Sequence, residues 1–291
     1  MGQASRLRFA RDTSGAALWQ MVFAEPAAAL RGHVLRYCGY AENTGEPMKR
    51  RELPFGGIPL IINLGPALRI AHPADRVAWV HQGSGFMAGL HDRYALTETS
   101  GSQRGVQIDF SPIGAALFLN RPLAALSNEV VDLETLLGVA GRYLIAQLDA
   151  APGWSERFAL LDLVLTRRLQ EARPVAAELM HAWRSLEESA GTLEIGALAE
   201  EIGWSRKHLI ARFTDQFGLP PKRTARILRF DRAVKLLRAG AVESWSGLAV
   251  DCGFYDQAHM IRDFHRFAGS APAELLARQL PDGGGVSGAL G

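Results

Sequence analysis

Between residues 34 and 110, apolar side chains come in short runs separated by Gly, Pro and Asn: Val34 to Tyr40, Ile58 to Leu64, Arg76 to Val80, Phe86 to Leu90 and Gly105 to Phe110. In the last run Val106, Ile108 and Phe110 alternate with Gln107 and Asp109, the period-two pattern of a half-buried strand. Such runs at close spacing predict a sandwich or small barrel. After Ser111 the period changes. Leu160, Val164 and Arg168, then Leu179, Trp183 and Leu186, recur at helical spacing, and Pro152 and Pro174 divide the stretch into short helices. This segment reads equally well as a connector packed on the barrel or as a dimerisation surface. Gly283, Gly284, Gly285 and Gly288 predict a disordered tail over 281–291.

One pattern occurs twice, in residues 199–221 and 249–272. Ala199, Gly203 and Trp204 are matched by Ala249, Gly253 and Phe254. His208, Leu209, Ile210, Phe213 and Gly218 are matched by His259, Met260, Ile261, Phe264 and Gly269, and Pro221 by Pro272. Each copy reads as helix, tight turn, helix. In the first, Leu198 and Ile202 form an apolar face, Gly203 permits a left-handed turn, and Ser205 caps a helix burying Leu209, Phe213 and Phe217. In the second, Leu248 and Cys252 precede Gly253, Asp256 is the N-cap, and Met260, Phe264 and Phe267 face inward. Between them Pro221 to Arg238 predicts one helix with Ile227, Phe230, Val234 and Leu237 toward the core. At about 1.5 Å per residue it is roughly 27 Å long. That length suits two recognition helices entering adjacent major-groove segments, roughly 34 Å apart.

Gly253-Phe254-Tyr255-Asp256-Gln257, followed by His259, Arg262, Phe264, Gly269 and Ala271-Pro272, resembles the second-motif signature of the AraC/XylS family of bacterial transcription regulators. The resemblance covers residues 192–280. It implies promoter DNA as a partner and, upstream, a cupin-like β-barrel sensor with a helical connector. The expected architecture is therefore α+β: a β-rich sensor unit over 1–125, a helical connector over 126–190, an all-α double helix-turn-helix unit over 192–280, and the tail.

Base reading is expected from Arg206, Lys207 and Ala211 on the first recognition helix and from Gln257, Ala258 and Arg262 on the second. Arginine pairs with guanine and glutamine with adenine through two parallel hydrogen bonds, and a small apolar side chain meets the thymine methyl. The resemblance adds that Arg262 matches an arginine that commonly contacts DNA. Phosphate contacts are expected from Ser205, Lys222, Arg226, Arg229 and His259, which would fix register without specifying sequence. The alternative for the basic face of the linking helix is a solvated surface. His208 and His259 read as packing residues rather than metal ligands. The first recognition helix carries Ile210 and Ala211 where many relatives place polar side chains, so recognition should lean on the second motif and on dimerisation.

Charge sharpens this division. Lys plus Arg total 32 against 30 Asp plus Glu, a net +2, which alone makes no case for nucleic acid. Residues 192–280 hold 13 basic against 10 acidic side chains, residues 1–191 balance 19 against 19, and the tail adds Asp282. The excess positive charge belongs to the DNA unit, and at +3 it predicts limited non-specific affinity.

Catalytic motifs are missing from the first half: there is no phosphate-cradling Gly-rich loop and no nucleophile elbow, and His72, His81 and His91 lack close metal spacing. Cys38 and Cys252 sit in apolar surroundings and do not form a disulfide framework. No cofactor is expected. No apolar stretch is long enough for a membrane helix, and Arg6, Arg8, Arg11 and Asp12 interrupt any signal-peptide core. The expectation is a cytoplasmic, homodimeric, non-enzymatic regulator sensing a small effector, with RNA polymerase a candidate partner. The alternatives are a barrel enzyme carrying a helix-turn-helix targeting module and a ligand-free dimeric regulator.

Overall fold

A computed structural model of the chain describes residues 7–12, 18–71, 80–278 and 286–287. Twelve strands are described: β1 (Leu7–Asp12), β2 (Leu18–Ala24), β3 (Val34–Asn43), β4 (Met48–Glu52), β5 (Ile58–Asn63), β6 (Leu68–Ala71), β7 (Val80–Gln82), β8 (Gly85–Ala88), β9 (Ala95–Thr99), β10 (Ser102–Phe110), β11 (Val130–Asp132) and β12 (Val286–Ser287). They form a seven-stranded sheet, β1-β2-β3-β10-β5-β8-β11, and a five-stranded sheet, β12-β4-β9-β6-β7. The pairings are antiparallel.

The alternation in β10 does set its two faces. Val106, Ile108 and Phe110 are buried against helices α1 (Pro112–Leu119) and α4 (Trp154–Glu171) together with Tyr37 and Val22. Phe110 stacks on Phe118, and Tyr37 stacks on Phe158. Gly39 of β3 lies so close to α4 that a Cβ there would come 2.4 Å from the Trp154 ring. On the opposite face the two sheets meet. Leu68 and Ile70 of β6 pack with Phe86, Ile61, Ala95 and Val130. Glu42 accepts from Arg50 at 2.5 Å and from Gln103. Asp109, a polar position in the pattern, is nevertheless buried and accepts from Arg36 Nε at 2.5 Å and Gln107 at 2.8 Å.

Several strands differ from expectation. β4 reads Met-Lys-Arg-Arg-Glu and carries no apolar signal, yet Arg50 and Arg51 are buried because each guanidinium meets an acceptor. β1, β2, β6, β9 and β11 were likewise not expected as strands, and β11 follows the point where strand signals fade. Of the expected run Arg76 to Val80 only Val80 is described. Most of the expected disordered tail lies outside the described residues, but Val286 and Ser287 form β12 on the edge of β4, where Val286 is buried against Val234, Leu237 and Leu275.

The helices begin before residue 126, since Ser111 caps α1 by accepting from the Gly114 amide. There follow α2 (Leu133–Leu137), α3 (Val139–Ala150), α4, α5 (Ala177–Glu188), α6 (Ile195–Ile202), α7 (Arg206–Phe217), α8 (Pro221–Arg238), α9 (Trp245–Asp251), α10 (Gln257–Ala268) and α11 (Pro272–Ala277). α5 lies within the expected connector but packs with the C-terminal helices: its Trp183 is fully buried and stacks on Phe213, 6.1 Å between centroids, beside Phe217 at 5.2 Å. One hydrophobic core runs through both halves of the chain. Among the described residues no helix is long and apolar enough to cross a membrane.

Candidate nucleic-acid interface

Each repeat folds as a helix-turn-helix. α6 ends at Gly203, φ +77°, and Ser205 caps α7 by accepting from the His208 amide at 3.2 Å. α9 leads to Gly253, φ +73°, and Asp256 caps α10 by accepting from the His259 amide at 2.6 Å. The positive φ at both glycines is the left-handed turn for which the sequence requires Gly. Leu209, Phe213 and Phe217 of α7, and Met260, Phe264 and Phe267 of α10, are fully buried. α8 joins the repeats over the expected residues, and its Phe230 packs edge-on against Phe264.

Burial of these faces turns the opposite faces outward. Arg206, Lys207 and Ala211 of α7 are exposed, as are Gln257, Ala258 and Arg262 of α10. Arg212 and His208 share the outer face of α7, while His265 and Arg266 extend that of α10. Ser205 and Lys222 are exposed too. His208 stands edge-on to Trp204, and His259 edge-on to Phe254 with its Nδ1 facing the Tyr255 amide at 3.4 Å.

Two of the residues expected at phosphate have partners inside the protein. Arg226 donates to the fully buried Asp263 from Nη2 at 2.5 Å and Nε at 3.3 Å, and its guanidinium lies over the Phe267 ring. The hydrogen bonds to Asp263 raise its pKa further. Arg229 donates from Nη1 to the Gly191 carbonyl at 2.5 Å and lies over the Phe254 ring, and burial lowers its pKa. Both arginines therefore help to hold helices together, through acceptors distant in sequence.

The C-terminal ends of both recognition helices are seated on the N-terminal half. The Leu123 amide donates to the Gln216 carbonyl at 3.0 Å, and buried Arg51 of β4 donates to the Ala268 carbonyl at 3.1 Å. Arg51 also lies over Tyr94, and Gly269 approaches that ring so closely that a Cβ would come within 2.6 Å. Asp92, in the loop between β8 and β9, completes this seam. Its carboxylate is 1% exposed, and Oδ2 lies 2.9 Å from Arg223 Nη1 and 2.8 Å from Arg266 Nη2. Burial alone would raise its pKa, but the hydrogen bond from Arg266 and the charges of Arg223, Arg266 and Arg93 hold it below the ordinary carboxylate value. None of Asp92, Arg223 and Arg266 was singled out from sequence. Arg266 was accessible to such reasoning, four residues beyond Arg262; Asp92 was not.

Among the described residues no group of three His, Cys, Asp or Glu side chains is placed to hold a metal. His91 is buried with Nδ1 at 2.7 Å from the Gly89 carbonyl, while His72 and the side chain of His81 lie outside the described residues. Cys38 and Cys252 are buried and unbridged, and burial pushes the Cys252 thiol up to about 11.

Two helix-turn-helix units on one linking helix, each with its recognition face outward, define a DNA-binding module joined to a two-sheet β unit. Residues 198–278 match a helix-turn-helix domain family, and residues 23–132 match a domain family of unknown function, DUF6597. The chain is 36% identical over 74 residues to the uncharacterized HTH-type transcriptional regulator YbfI of Bacillus subtilis (strain 168), a match spanning 25% of this chain and 26% of that protein. Among solved structures, ToxT from Vibrio cholerae O395 matches with a TM-score of 0.46 and 13% identity, over 80% of this chain and 96% of ToxT. The AraC-like transcriptional activator CuxR matches with a TM-score of 0.35 and 12% identity, over 82% and 88% of the two chains.

Proposed function

We propose that the chain is a sequence-specific transcription regulator that binds double-stranded promoter DNA through both recognition helices. The observation that carries this is the pairing of outward faces, Arg206, Lys207 and Ala211 on α7 with Gln257, Ala258 and Arg262 on α10. In this reading those six side chains meet base edges, and Ser205, Lys222 and His259 border the backbone. Arg212, exposed on α7, joins them. Arg262 supplies the strongest single base contact, since a guanidinium can grip guanine through two hydrogen bonds.

The β unit is assigned the sensing role. A small-molecule effector would bind within this unit. The protein acts in the cytoplasm as a homodimer, without catalysis or a cofactor, and RNA polymerase is its partner at the promoter. Val139 and Tyr143 of α3 and Leu163 of α4 are among the exposed apolar side chains of the described residues and are assigned to self-association.

Genome-wide footprinting followed by mobility shifts on the recovered sites tests the reading. Sequence preference that survives competition from random duplex is expected; binding without preference at any salt would sink it. Turnover of a metabolite by the purified protein would favour an enzyme carrying a targeting module, and a thermal shift with no metabolite would favour the ligand-free regulator.

A further inference from the structure

The N-terminal turns of both recognition helices are open while their C-terminal ends are held, and at α10 the hold reaches the recognition face itself. An α-helix turns about 100° per residue, so a side chain four residues on lies about 40° round the axis. Arg266 thus continues the stripe of Ala258 and Arg262, one turn further along. Asp92 takes that arginine and Arg223 from the first turn of α8 with one carboxylate oxygen. The two arginine side chains remain 42% and 44% exposed, so both can reach an external anion once released.

A carboxylate oxygen that accepts a charged hydrogen bond from one arginine and ion-pairs with a second presents the chemistry that a DNA phosphate oxygen presents. We propose that Asp92 is an intramolecular stand-in for a backbone phosphate, and that the β unit restrains DNA binding by holding Arg223 and Arg266 on it. This rests on the regulator reading above. Opening the clasp adds two phosphate contacts, one from α10 and one from the start of α8, to a module whose net charge is only +3. Arg93, 3.5 Å from Asp92 Oδ1, stays on the β unit and balances the carboxylate when the two arginines leave. The backbone grip of Arg51 on Ala268 and the close approach of Gly269 to Tyr94 place the clasp on a built seam, so a signal that shifts the β8–β9 loop reaches α10 directly.

The test compares the full-length protein with Asp92→Asn on a fluorescent 30-base-pair random-sequence duplex across a salt series. Releasing two arginines should tighten binding about tenfold at moderate salt and steepen the slope of log K against log salt by about 1 to 2, from roughly 0.9 per phosphate contact. Asp92→Asn combined with Arg223→Gln and Arg266→Gln should return the slope to the wild-type value. A folded Asp92→Asn protein that binds no more tightly, with an unchanged slope, overturns the clasp and leaves the regulator reading standing. Absence of binding by either protein at every salt removes both. Should Asp92→Asn not fold, hydrogen exchange on the wild type decides. The Asp92 amide, bonded to Asn128 Oδ1 at 2.9 Å, should exchange faster when duplex is added, and an unchanged or slower rate overturns the proposal.

Discussion

The guanidinium of Arg226 closes on the carboxylate of Asp263, the residue immediately after Arg262. One side chain of that adjacent pair therefore ties α10 to α8 while the other faces outward. The two arginines, 226 and 262, should fail in different ways when truncated. Arg226→Ala leaves the fully buried Asp263 carboxylate with only His259 Nε2 nearby, at 3.9 Å, and should cost about 3 kcal/mol of stability, read as a lower midpoint in urea unfolding. Arg262→Ala should leave the midpoint in place and cost roughly 1 to 3 kcal/mol of binding at one base position. Equal loss on all sequences would assign Arg262 to phosphate instead.

Acid should weaken the seam from one identifiable group. The Asp92 carboxyl titrates below the ordinary value of about 3.9 because Arg223, Arg266 and Arg93 face it. Its ionised form is favoured by folding, so its contribution to stability is complete above the ordinary value and is lost as pH falls through the lowered one. Unfolding midpoints of wild type and Asp92→Asn should converge in that acidic window and stay separated at neutral pH. A constant separation across the whole range would show that Asp92 acts through packing.

Thiol chemistry offers a check on the core. With Cys252 buried and its pKa pushed up to about 11, and Cys38 buried in β3, neither thiol should react with an aromatic disulfide reagent at neutral pH until the protein is unfolded. Rapid native labelling of either one would contradict the packing described.

At Gly39 the chain has no room for a side chain. Gly39→Ala would drive a Cβ to 2.4 Å from the Trp154 ring and should destabilise by about 1 to 3 kcal/mol through displacement of α4. The effect should appear as a lower thermal midpoint, while a neutral result would mean that α4 can retreat from the sheet at little cost.

The helix-turn-helix module was legible because its local and long-range signals coincide. Four-residue apolar spacing in Leu209, Phe213 and Phe217 names the buried face, Ser205 and Asp256 mark the caps, and Gly203 and Gly253 mark the turns. The β unit was legible only in its apolar strands. β4 escaped because Arg50 and Arg51 are buried by partners from β3 and α10, and pairing across such separations leaves no periodic trace. Asp92 escaped for the same reason: nothing near it in sequence distinguishes it from a solvated loop aspartate. The internal partners of Arg226 and Arg229, the Asp263 carboxylate and the Gly191 carbonyl, were equally out of reach of spacing on α8.

The allegiance of α5 decides how the chain can be dissected. A fragment starting at residue 192, where the repeat pattern begins, would leave Trp183 behind and open the rings of Phe213 and Phe217 to water, so α7 would lose the floor on which it lies. A start ahead of Ala177 carries that floor along. The smallest piece able to keep both recognition helices in shape therefore begins about 15 residues upstream of where the DNA-binding repeat can first be read.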